Sequence, residues 1–197
     1  LYTEMINANA VLFGDQNELL KFNECEHPLA IQLGGNDPIK LSEAATISES
    51  YGYDEINLNV GCPSTKVQNG DFGAILMRNP NLVAKCVKAI KNNVNIPVSI
   101  KCRIGVDDMD EEKDLNTFIK KVSDSGCKIF IIHARKAWLK GLSPKENRNI
   151  PPLNYERVYK LKDKFPHLEI IINGGLENIE DSKKHLTKVD GVMMGRK

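Results

Sequence analysis

The sequence predicts an α/β fold built on a parallel sheet, and three observations carry that reading. Strand-like and helix-like segments alternate through the 197 residues, and no Asn-Gly pair joins two alternating runs in the way a hairpin requires. The strand-to-strand spacing averages about 30 residues, the period of a (β/α)8 barrel, which needs roughly 250 residues. Six strands are expected in a chain that opens on a helix, so the prediction is a TIM barrel present without its first and last strands. An open doubly wound sheet is the alternative; its GxGxxG fingerprint is absent.

Taken in order, residues 1–13 carry apolar side chains at positions 2, 5, 6 and 12 with alanines between, which predicts an amphipathic helix. Residues 28–33 (PLAIQL) form a short buried strand closed by Gly34-Gly35, and residues 38–50 the next helix, ended by Gly52. Residues 53–60 alternate through Ile56, Leu58 and Val60 and break at Gly61-Cys62-Pro63 into a polar, glycine-rich loop. A helix over 79–93 has Asn79 as N-cap and Pro80 in its first turn. Then follow a strand (97–104), a helix (115–125), a strand (128–133), a long connection (134–153), a helix (155–165), a strand (168–172), a helix (179–186) and a last strand (191–194).

Hydrophobic residues make up 41% of the chain, enough for a buried core and too many for a disordered protein. The net charge of +1 conceals a basic stretch, where Arg135, Lys136, Lys140, Lys145 and Arg148 face only Glu146. Five cysteines form no CxxC pair and no zinc spacing with the histidines, so neither a disulfide framework nor a metal site is indicated and a reducing compartment fits. No apolar run approaches the roughly 20 residues of a membrane span. The first residue is Leu1, which leaves a targeting segment ahead of it open.

Polar groups gather at the predicted strand ends: Gln32, then Asn59 and Cys62, Lys101 and Arg103, His133 and Arg135, Asn173, and Gly195-Arg196. In a barrel these ends converge on one mouth, which points to a shared ligand site. Lys101 lies between Ile100 and Cys102 in an apolar run, so its ammonium needs a partner, a ligand or a route to solvent. Taken singly, Gln32 reads as a structural amide and His133 as either a satisfied core histidine or a ligand contact. Asn173-Gly174-Gly175 and Gly195-Arg196 follow consecutive strands, where glycines let backbone N–H groups approach a phosphate. Cys62 stands apart from the other cysteines because it sits in a loop. An ordinary thiol, with a pKa of about 8.5, is mostly protonated at pH 7 and suits proton donation better than attack.

The run INLNVGCPSTKVQNGDFGAILM, with LAIQLGG before it and IKCRIG, IIHARKAWLKGLSPKENRNIPPL, INGG and DGVMMGR after it, resembles the tRNA-dihydrouridine synthases. The likeness is greatest to the DusA-like branch, which acts on D-loop uridines 20 and 20a. The resemblance implies an FMN-binding barrel, reduced by NADPH, that reduces the C5–C6 bond of uracil in tRNA. By that likeness Gln32, Lys101 and His133 contact the flavin; Asn173, Gly174, Gly175, Gly195 and Arg196 hold its ribityl phosphate. Cys62 is then the general acid delivering a proton to C5 opposite a hydride at C6, Asn59 touches the substrate nucleotide, and Lys145 and Arg148 contact tRNA. Trp138 in the basic loop is a stacking or a packing group. A cytoplasmic monomer without a metal or a membrane partner is expected. A C-terminal helical tRNA-binding domain is expected outside residues 1–197, and these residues alone are expected to be poorly stable and inactive. A dihydroorotate-dehydrogenase-like flavin enzyme and a non-catalytic RNA-binding barrel are the competing readings.

Overall fold

The structure, a computed structural model, describes residues 1–195. Seven strands form one sheet in the order β1-β2-β3-β4-β5-β6-β7, and every pairing is parallel. They are β1 (Tyr2–Asn7), β2 (Ala30–Gly34), β3 (Glu55–Val60), β4 (Val98–Arg103), β5 (Ile129–His133), β6 (Glu169–Asn173) and β7 (Gly191–Met193). Each strand pairs with its sequence neighbour, so the chain winds round in one direction through its helices. The sheet curls: Tyr2 and Glu4 of β1 line the same cavity as Val192 and Met193 of β7. This is an incomplete barrel, open between β1 and β7.

Period-2 alternation divides the strands into two faces. Ile31, Ile56, Leu58, Ile100, Phe130 and Ile132 are each 0% exposed and belong to the core shared with the helices. The covering layer comes from α3 (Pro38–Ser50), α5 (Pro80–Lys91) and α6 (Lys113–Asp124), through residues such as Leu41, Val87, Phe118 and Ile119. Two of these helices, α3 and α5, start where the sequence supplies a cap followed by proline. Asp37 accepts from the Ile39 and Lys40 N–H groups ahead of α3, and Asn79 accepts from Leu82 N ahead of α5. The helices α7 (Tyr155–Lys164) and α8 (Ile179–His185) are capped by Asn154 and Asn178.

The amino-terminal expectation is corrected. Residues 2–7 form a strand, not the first half of a helix, and only Ala8–Phe13 is helical (α1). Tyr-Thr-Glu-Met-Ile pairs with β2 as a half-exposed edge strand, with a register shift between Tyr2 and Met5. Asn7 then stops the strand and caps α1 by accepting from Asn9 N at 2.8 Å. Seven strands rather than six are thus present, and an eight-stranded barrel lacks one strand among the described residues rather than two. A short helical turn α4 (Thr65–Gln68) lies within the loop read after Cys62, and α2 (Gln16–Leu19) and a 3-10 turn over Gly73–Arg78 occupy stretches to which the sequence assigns no element.

Candidate functional site

The other face of the sheet is polar. Cross-strand register places Asn59 beside Lys101, and Arg103, His133 and Asn173 side by side one level higher. These are the carboxyl ends of the strands, where parallel barrels hold their ligands. A cavity of about 1030 Å³ opens there, at the upper end of small-molecule site volumes. Gln32, Lys101, His133, Asn173, Gly174, Gly175 and Gly195 all line it, joined by Arg148 from the basic loop. Cys62, Asn59 and Lys145 lie outside that lining, and Arg196 falls beyond the described residues.

Lys101 donates to Asn173 Oδ1 at 3.2 Å and has no carboxylate partner among the described residues. Part of the side chain remains exposed. Burial of the ammonium, reinforced by the Arg103 charge, brings its pKa down to about 8. Asn173 is held in place on its other side, donating to Met193 O at 2.8 Å. His133 is buried, and its Nε2 has no hydrogen-bond partner among the described residues. Burial first, then the charges of Arg103, Lys101, Arg135 and Arg148, push its pKa down to about 2, so the imidazole is neutral at physiological pH.

Gly174 and Gly175 have φ of +105° and +69°, a region that L side chains rarely adopt. A Cβ on Gly174 would lie 2.5 Å from His133 Cδ2, so the turn backbone presses directly on the imidazole. Tyr155, at the start of α7, supports this turn by donating to Gly174 O at 2.7 Å. Sequence reasoning missed that support. Among the described residues, a buried polar atom without a partner, an ammonium without a counter-ion and an exposed glycine backbone together fit a ligand with ring heteroatoms and an anionic tail. Among the described residues, no group of three or more His, Cys, Asp or Glu side chains could hold a metal.

The thiol loop borders this cavity. Asn59 Oδ1 accepts from Gly61 N at 3.1 Å and Cys62 N at 2.9 Å, while Asn59 Nδ2 donates to Gln32 Oε1 at 2.6 Å. Asn59 thus links a cavity wall to the cysteine. Cys62 is half-buried, and its carbonyl accepts from Ala74 N at 2.9 Å. Gln32 is fixed in turn: its Nε2 donates to Asn57 Oδ1 at 2.8 Å, and Asn57 Nδ2 to Ser99 Oγ at 2.7 Å. The Ser99 hydroxyl ends the ladder on the Glu55 carboxylate.

The basic connection is ordered by Asn147, which is fully buried and bonds Trp138, Leu142 and Ser143. Lys145 and Arg148 are exposed on it. Trp138 is 43% exposed, with Lys136 Nζ 5.9 Å from its ring centroid. Arg103, read from sequence only as a strand-end charge, is 3% exposed and reaches carbonyls of both loops. Its partners are backbone atoms, which leave no trace in residue identity.

Among the described residues, no helix is long and apolar enough to cross a membrane. The family model described as dihydrouridine synthase (Dus) matches residues 1–197. The tRNA-dihydrouridine(20/20a) synthases of Escherichia coli (strain K12) and Salmonella typhimurium are each 59% identical to this chain over 197 residues, covering all of it and 57% and 59% of their own lengths. That of Synechocystis sp. is 58% identical over 196 residues, with 59% of its length covered. The chain thus spans less than two thirds of these curated relatives. The match runs through the thiol loop, the cavity strands and the basic connection alike, and the chain belongs to the dihydrouridine synthase family.

Proposed function

We propose that the protein carrying these residues is a tRNA-dihydrouridine synthase that reduces the C5–C6 bond of D-loop uridine 20 or 20a, with FMN as its flavin and NADPH as reductant. The observation that carries the reading is the neutral His133, whose Nε2 is unpartnered among the described residues, beside Lys101, which has no carboxylate partner among them, at a mouth bordered by the Cys62 loop. The relatives' names supply the substrate. The remaining two fifths of those relatives' length is the place for the expected helical tRNA-binding domain.

Bound FMN would supply a hydride to C6 of the uracil. His133 Nε2 and Gln32 offer hydrogen bonds to the ring system, and Lys101 places positive charge where electron density rises on reduction. Asn173 and the backbone of Gly174, Gly175 and Gly195, which line the cavity, would hold the ribityl phosphate together with Arg196. Cys62 keeps a proton on Sγ and gives it to C5 from the opposite face of the base. Asn59 fixes the loop that carries the thiol and contacts the nucleotide through its remaining hydrogen-bonding capacity. Lys145 and Arg148 neutralise tRNA phosphates, and Trp138 offers a stacking face.

The test is reconstitution of the full-length protein with FMN, NADPH and an unmodified tRNA, followed by mass spectrometry of nuclease fragments. Uridine 20 or 20a is expected to gain two hydrogens. No gain, or a gain confined to other positions, contradicts the assignment.

A further inference from the structure

The two peptide carbonyls that flank Cys62 are each bound by a side chain that also binds the basic loop. On the carboxyl side, the Gln68 amide nitrogen has two hydrogens and uses both: one donates to Pro63 O at 2.7 Å, the other to Leu139 O at 3.0 Å. On the amino side, Arg103 Nε donates to Gly61 O at 3.3 Å, while its Nη1 donates to Lys136 O at 3.3 Å and Asn147 O at 2.9 Å. Leu139 is itself anchored, since its N–H donates to Asp107 Oδ1 at 2.8 Å. A half-buried glutamine at the end of the four-residue helix α4 would need only the Pro63 contact to close its own turn. The second bond crosses 71 residues of sequence to the segment that carries Lys145 and Arg148.

We propose that Gln68 is a positioning residue that ties the Cys62 loop to the basic loop, so that RNA held on the basic loop fixes the thiol against its target base. The proposal rests on the tRNA-dihydrouridine reading above. Gln68 touches neither cofactor nor base; it acts through the Pro63 and Leu139 carbonyls. Losing both donors leaves the phosphate-binding side chains and the Arg103 tie to Gly61 O in place and loosens the thiol loop on its Pro63 side. Proton delivery should suffer while binding does not, because small displacements of a reacting group cost rate steeply.

The test uses the full-length, FMN-loaded protein with Gln68→Leu. Dihydrouridine formation at saturating tRNA is expected to fall about tenfold, with KM for tRNA and FMN content within about twofold of wild type. Alkylation by iodoacetamide in the free protein, read by mass spectrometry, uses the exposed Cys25 as internal reference. The Cys62-to-Cys25 labelling ratio is expected to rise about fivefold as the loop loosens. Gln68→Glu keeps the side-chain shape, loses both donors and is expected to show the same two changes. Wild-type kcat with a wild-type labelling ratio overturns the proposal, and so does a rise in KM with kcat unchanged. Absence of product from the wild-type protein would instead refute the enzymatic reading; an unchanged labelling ratio then still overturns the tie.

Discussion

Phe130 and His133 stand three residues apart on β5 and face opposite sides of the sheet. Phe130 is 0% exposed among helix side chains, whereas His133 is buried beside a cavity with Nε2 unpaired among the described residues. The same division runs through β2 to β6. Outward positions are Ile, Leu, Val, Phe or Cys, while inward positions include Gln32, Asn57, Asn59, Ser99, Lys101, Arg103 and Asn173. Burying polar groups without full satisfaction costs stability, so the inner face is held at the expense of what the outer face contributes. The contrast separates the residues that make the fold from those the fold presents.

The largest expected effect is on the outer face. Phe130→Ala is expected to destabilise the full-length protein by about 3–5 kcal/mol in urea unfolding, from lost transfer energy and a residual cavity. His133→Ala, on the same strand, is expected to cost less than about 1 kcal/mol because Nε2 makes no hydrogen bond to the described residues, yet to weaken FMN binding. Equal destabilisation by the two would break the division.

A pair of glycines sharpens it. Gly174→Ala sets a methyl against the His133 ring, and FMN affinity is expected to fall about tenfold or more by fluorescence titration. At Gly141, whose φ is +83° and whose absent Cβ meets nothing within 4 Å, alanine is expected to cost roughly 1–2 kcal/mol of backbone strain and leave FMN affinity unchanged.

Smaller effects follow from pH. Lys101 loses its proton near pH 8, so FMN affinity should weaken as pH rises through that value, and Lys101→Met should flatten the dependence. His133 titrates at about 2 in the folded chain against 6.5 when free. Between those values the unfolded chain binds the proton and the folded chain does not, so stability is lost as pH falls below 6.5, by up to about 1.4 kcal/mol per unit. Above 6.5 the group contributes nothing. His133→Gln should remove that part of the acid slope in denaturant titrations at successive pH values.

Much of this architecture is legible in sequence because outward apolar positions recur at period 2 and helices begin at marked caps such as Asn79-Pro80. The first strand was not. Apolar positions 2, 5 and 6 fit a helix, a real helix follows at once, and an edge strand half-exposed to solvent lacks a buried run. The cavity residues Gln32, Lys101, His133 and Asn173 stand out because each interrupts an apolar strand near its carboxyl end. Asn59 stood out likewise, but its role in capping the Cys62 loop depends on a turn that sequence does not reveal. Gln68, Tyr155 and Arg103 act on carbonyls, which every residue possesses, so only three-dimensional contact exposes them.

The central claim is that the inner face holds a flavin and substrate while Cys62 supplies the proton. A single-turnover measurement on pre-reduced, full-length Cys62→Ala protein with saturating tRNA tests it directly. The account predicts FMN and tRNA binding within about twofold of wild type and dihydrouridine formation slowed about a hundredfold or more, the usual weight of a general acid. Dihydrouridine appearing at the wild-type rate would contradict it.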